Sequence, residues 1–117
     1  MAIFHVVQKE LKAVAETTFG AEGIMERNDI QRMLREQISV LDERLMVIAE
    51  EFGDWVDSSR RIDLLCIDAD ANLVVVELKR TDDGGQMELQ ALRYAAMVSA
   101  MTFEQLVDSH ARYRNKS

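Results

Sequence analysis

The chain reads as a mixed α/β domain, with a three-stranded antiparallel meander at its centre and helices flanking it. Three features of the 117 residues predict this. Residues 60–80, "RRIDLLCIDADANLVVVELKR", hold two apolar runs around a short Asp/Ala/Asn loop, the pattern of a hairpin. A shorter apolar run, "RLMVIAEEF", precedes them and supplies a third strand. "QMELQALRYAAMVSAM" follows with apolar residues around much of its circumference, as in a packed helix. A chain of this length forms one domain and can bury a real core.

Taken in order, residues 2–8, "AIFHVVQ", suit either a short strand or a first helical turn. From Lys9 to Phe19, the positions Leu11, Val14, Ala15, Thr18 and Phe19 recur at helical spacing and predict a helix. The glycines of "FGAEGI" break it. A second helix is expected from Asn28 or Asp29, either of which can cap it, to about Gln37. Its inner face would be Ile30, Met33, Leu34 and Ile38. The strand at "RLMVIAEEF" alternates, although a helical reading stays open there. "GDWVDSS" is turn chemistry leading into the hairpin, whose strands span 60–68 and 72–79, and "TDDGG" closes the second strand. In the following helix Met87, Leu89, Ala91, Leu92, Ala95 and Ala96 form the apolar surface. Thr102 to Gln105 has capping-box spacing and opens a last helix carrying Phe103, Leu106 and Val107.

Composition narrows the functional classes. The formal charge of −7 gives no sign of a general nucleic-acid-binding surface, which needs clustered Lys and Arg. A small acidic site that holds a metal remains compatible with it. The single cysteine, Cys66, lies in an apolar run and should behave as a buried small hydrophobe. One cysteine permits no intrachain disulfide, and a cytoplasmic location is expected. No apolar stretch reaches the roughly 18–20 residues that span a membrane, and "MAIFHVVQKELK" has no signal-peptide character.

The charges inside the hairpin are the feature that needs an explanation. With the turn centred near residue 70, Asp63 and Glu77 face each other directly, with Arg61 and Lys79 as the next pair on the same side. Directly opposed carboxylates lie roughly 4.5–5.5 Å apart at Cβ and repel. A proton, a cation or a metal ion relieves that repulsion. Hard oxygen donors at this spacing suit Mg²⁺ or Mn²⁺. Lys79 would project beside the ion, placed to position or deprotonate a water or to neutralise phosphate charge. The plainer alternative is an ion-paired hairpin edge, with Glu77 on Lys79 and Asp63 on Arg61 or Arg60. Leu64, Leu65, Val75, Val76 and Leu78 occupy both faces, which speaks for a central hairpin. On the next helix Gln86, Gln90, Arg93, Tyr94 and Met97 share one stripe, the polar interruption in an apolar helix. That stripe is either the solvated face or, through Gln90 and Tyr94, a wall facing the carboxylates.

Asp63, then Glu77-Leu78-Lys79, then Gln90 and Tyr94, together resemble the PD-(D/E)XK nuclease superfamily, and in particular its NucS-type branch of RecB-like nuclease domains. "RIDLLCIDADANLVVVELKR" is similar to the strand–turn–strand core of that branch, and "LQALRY" to its Q-x-x-x-Y helix. The resemblance covers roughly residues 25–107. It implies a restriction-endonuclease-like core and a metal-dependent DNA endonuclease, with Mg²⁺ or Mn²⁺ on Asp63 and Glu77. Lys79 would be the catalytic lysine and DNA the partner, with no membrane involved. Gln90 and Tyr94 would line the site, and Glu26 is the nearest match to the acid that the superfamily places on the preceding helix. Arg61, Arg80 and Arg93 are candidates for phosphate contacts. The alternative is a nuclease-fold module without catalysis that binds DNA or a protein.

The superfamily core is αβββαβ, so a further strand should follow the Gln90–Tyr94 helix. Here "TFEQLVDSHARYRNKS" is helical instead. The expected organisation is an N-terminal extension over 1–24, a core over 25–107 and a tail over 108–117. "GGQMELQALRYAAMVS" also looks like a segment of longer bacterial proteins in which this module precedes another domain. The closing strand would come from that region, from "AIFHVV" or from a partner chain, and a homodimer would cover the open edge.

Overall fold

The computed structural model describes residues 1–53, 60–78 and 87–115, without the side chains of Glu26, Arg27 and Met87. Strands β1 (Ile3–Val7) and β2 (Glu10–Val14) form an antiparallel hairpin with Ile3 opposite Val14 and Val7 opposite Glu10. This replaces the helix expected from Lys9 to Phe19. The two turn residues, Gln8 and Lys9, take φ of 53° and 65°, the left-handed pair that a two-residue hairpin turn needs. Neither is Asn or Gly, so the usual sequence signal of that turn is missing.

A wide turn over Glu26–Gln31 runs into α1 (Arg32–Glu36), followed by a single 3₁₀ turn over Ile38–Val40. The helical stretch therefore starts earlier than Asn28 or Asp29. Asp29 instead reaches back, its Oδ2 accepting the Met25 N–H at 2.8 Å. Ile30, Leu34 and Ile38 are half-buried, but Met33 is exposed, contrary to its expected place on the inner face.

Strands β3 (Met46–Phe52), β4 (Ile62–Ile67) and β5 (Leu73–Val76) form a three-stranded antiparallel sheet in that order. The central meander flanked by helices is thus observed. Leu64 pairs with Val76, Leu65 with Val75, Cys66 with Val74 and Ile67 with Leu73, a register centred near residue 70 as expected. Asp68 builds the turn by accepting the N–H groups of Asp70 and Asn72, both at 2.9 Å. A bulge at Ile48 interrupts the β3–β4 ladder. The Ile48 carbonyl meets His110 Nδ1 at 2.9 Å, and since a carbonyl only accepts, Nδ1 carries the proton. Gly53 lies under the Arg61 side chain and the Arg60 carbonyl, with no room for a Cβ.

Helices α2 (Met87–Val98) and α3 (Phe103–Asn115) pack against β5 and β3. The core joins Ile48, Ala49, Phe52, Ile62 and Leu65 of the sheet to Tyr94 and Val98 of α2 and Leu106 of α3. Helix α2 is not packed all round: Leu89 and Leu92 are exposed, and the inward stripe is Gln90, Tyr94, Met97 and Val98. Phe103 and Val107 of α3 are likewise exposed while Leu106 is buried. No helix among the described residues is long and apolar enough to cross a membrane.

Two elements yield direct tests. The expected capping box is formed, with Gln105 N–H on Thr102 Oγ1 at 3.2 Å and Thr102 N–H on Gln105 Oε1 at 2.9 Å. Thr102→Ala should lower stability by about 1 kcal/mol, read from the urea midpoint. Cys66 is fully buried, and burial pushes its thiol from the ordinary value near 9 up to about 11. Its folded pKa is raised, so its contribution is complete below about pH 9 and is lost as pH rises towards 11. The loss should reach about 2 kcal/mol by pH 11 relative to a Cys66→Ala chain, measured by denaturant titration at each pH.

Candidate functional site

Continuing the β4–β5 register by one step sets Asp63 across from Glu77. Both are half-buried. Each carboxylate turns onto the backbone of the opposite strand. Glu77 Oε1 accepts the Asp63 N–H at 3.2 Å, and Asp63 Oδ2 accepts the Leu78 N–H at 2.9 Å. This reciprocal clamp holds the two strands together where regular pairing ends at Val76. It also offsets part of the carboxylate repulsion, because a backbone N–H bonded to an anion stabilises its charge.

By the strand period of two, Asp63 and Glu77 share the face of Leu65, Ile67, Leu73 and Val75. Leu65 joins Tyr94 and Val98 in the core, with Ile67, Leu73 and Val75 packed against that cluster. Helix α2 therefore covers the face on which the two acids stand. Tyr94 is buried, Gln90 is half-buried, and the Gln90 amide donates to the Tyr94 hydroxyl at 3.3 Å. The Q-x-x-x-Y stripe is thus an inner wall and not the solvated side of α2. Arg93, one residue away, is exposed.

The other expected site residues are placed differently. Arg61 is exposed, and its Nη1 donates to the Arg60 carbonyl at 2.9 Å. Among the described residues no ion pair joins it to Asp63. Lys79, Arg80 and Gln86 lie outside the described residues. The backbone of Glu26 opens the wide turn before α1, and its side chain is not among those described.

A second polar cluster escaped the sequence reading. Gln31 is buried and donates to Glu50 Oε2 at 3.0 Å and to Glu51 Oε1 at 3.1 Å. Arg35 Nη1 reaches Glu50 Oε1 at 3.0 Å, and that hydrogen bond raises the guanidinium pKa above its ordinary value. Glu50 pairs with Leu64 and Phe52 with Ile62, so Glu51 stands at the register position across β4 from Asp63. Glu51, Asp63 and Glu77 thus occupy one row across three adjacent strands. Glu51 has φ of 52°, in the left-handed region, and its side chain goes to Gln31. The signal in the sequence was the Glu50-Glu51 pair at the end of an apolar strand.

The donor chemistry of Asp63 and Glu77 fits a small hard cation, since Mg²⁺ is commonly held by one or two carboxylates plus waters and phosphate oxygens. No cluster of three or more His, Cys, Asp or Glu side chains suited to a metal occurs among the described residues. Neither of two hollows of about 470 Å³, which flank the C-terminal end of α2, is lined by Asp63, Glu77 or Gln90. In comparisons with family models, curated proteins and solved structures, nothing matches this chain.

Proposed function

We propose that this chain is a metal-dependent DNA endonuclease-like domain with a restriction-endonuclease-like core, of the PD-(D/E)XK type. The observation that carries the reading is the placement of Asp63 opposite Glu77 on the sheet face that α2 covers with Gln90 and Tyr94. Asp63 and Glu77 would hold Mg²⁺ or Mn²⁺. The ion, when bound, supplies positive charge to a phosphodiester and makes water more acidic. Lys79, two residues beyond Glu77, would position the attacking water or take its proton. Gln90 and Tyr94 would orient the site from α2, and Glu26 is the candidate third acid. Arg61, Arg80 and Arg93 would contact phosphates, with Arg61 and Arg93 both exposed.

Mn²⁺ titration and plasmid nicking on the same preparation test this reading. Binding should depend on Asp63 and Glu77, while Lys79→Ala should keep the metal and lose nicking. Nicking that survives both Glu77→Ala and Lys79→Ala would assign the activity to something else. The reciprocal clamp favours a second reading, in which the same fold binds DNA or a protein without cleaving. There Asp63 and Glu77 act as strand staples, and DNA binding would be indifferent to metal.

A further inference from the structure

Beyond the row of acids, the next row of the sheet pairs a glycine with an arginine. Phe52 pairs with Ile62, so one further step of the register sets Gly53 across from Arg61. Gly53 does not take a positive φ, as Gly23 does at 67°, so glycine is needed here for space and not for backbone conformation. A β-carbon at Gly53 would lie 2.5 Å from the Arg60 carbonyl oxygen and would collide with both the stem and the head of the Arg61 side chain. Arg61 therefore lies over the end of β3, its Nη1 donating to the Arg60 carbonyl at 2.9 Å.

That anchor is a neutral carbonyl. Among the described residues no carboxylate forms an ion pair with Arg61, and the side chain is exposed. A guanidinium offers five N–H donors in a planar fork that matches phosphate oxygens. Residues two apart on a strand share one face at a separation of roughly 6.6 Å. That is comparable with the distance between neighbouring phosphates along a nucleic-acid strand. A phosphodiester placed over Asp63 and Glu77 thus has its neighbour beside Arg61.

We infer that Arg61 takes the phosphate next to the one over the acids, and that Gly53 is the positioning residue that leaves its guanidinium a seat. The inference rests on the reading of this chain as a DNA-acting domain, in either its cleaving or its non-cleaving form.

Fluorescence anisotropy of a labelled DNA duplex, read over a series of NaCl concentrations, tests it. One set of titrations uses Mn²⁺ in a Lys79→Ala background, where the proposed site keeps the ion without nicking. A second set uses the parent sequence without metal. Arg61→Ala should lower the slope of log affinity against log salt by about 0.9, the share of one phosphate contact. Gly53→Ala should lower it by the same amount, and the double variant by no more than either. Mn²⁺ affinity should stay at the parental value in all three, since the acids are unaltered. A role in folding alone would instead lower the urea midpoint and leave the slope at its parental value. Arg61→Ala with the parental slope overturns the inference, whether or not Gly53→Ala folds. So does a folded Gly53→Ala chain with the parental slope, a double variant that loses two contacts, or a parent chain that binds no DNA. A Lys79→Ala chain that still nicks DNA counts against the nuclease reading instead, and the metal-free slopes then decide the inference.

Discussion

On the proposed nuclease function, Glu77→Gln should remove metal-dependent DNA cleavage while leaving the fold intact. The glutamine amide oxygen can still accept the Asp63 N–H that Glu77 Oε1 accepts at 3.2 Å, so the strand clamp survives. What it loses is the negative charge that a divalent cation needs. Cleavage should fall by at least about 100-fold, equivalent to about 2.7 kcal/mol of transition-state stabilisation, and Mn²⁺ affinity should fall with it. Glu77→Ala adds a structural penalty, since it leaves a half-buried N–H without that acceptor, at a cost of about 1–3 kcal/mol. Activity and Mn²⁺ binding retained in Glu77→Gln but stability lost in Glu77→Ala would make Glu77 a staple only. That result would take the metal ion away from Glu77 and overturn the proposed site.

Leu65→Ala should be among the most damaging substitutions in the chain. Leu65 is fully buried in the centre of β4, in the cluster that joins the sheet to Tyr94 and Val98. Truncating it leaves a cavity that close-packed neighbours fill only in part, costing about 2–5 kcal/mol. Domains have about 5–15 kcal/mol in total, so at the middle of both ranges the urea midpoint should drop by about a third. Leu89→Ala on the exposed side of α2 should change stability by no more than about 0.5 kcal/mol. Equal effects from the two substitutions would contradict the orientation of α2 that turns Gln90 and Tyr94 inward.

Those two leucines show how far the sequence could be read. Both sit in strongly apolar segments, and helix α2 has apolar residues on nearly every side, so no single face stands out. Its true inner face is marked by Tyr94, whose ring fills the core and whose hydroxyl meets Gln90. The β4–β5 register was legible because an Asp-rich turn with its own side-chain hydrogen bonds sets the pairing, and a slip by one residue would invert both faces. The β1–β2 hairpin was not legible, since Leu11, Val14 and Ala15 fit a helical period and Gln8-Lys9 carries no turn signal. The Gln31 cluster was hidden for another reason. It joins residues nearly twenty positions apart through a bulged strand end, and no local pattern encodes such a contact.

Sequence alone determined the alternation of strands and helices in the core, the pairing of Asp63 with Glu77, the burial of Cys66 and the cap at Thr102. Each depends on short-range periodicity or on side chains within a few residues, where local physics decides. Tertiary structure alone decided which side of α2 turns inward, that both acids are clamped to backbone N–H groups, and that Glu51 joins their row from β3. It also left the apolar face of the N-terminal hairpin, with Phe4, Val6 and Leu11, exposed. These depend on how separate elements meet, and burial of one face against another is a property of the packed whole rather than of any segment.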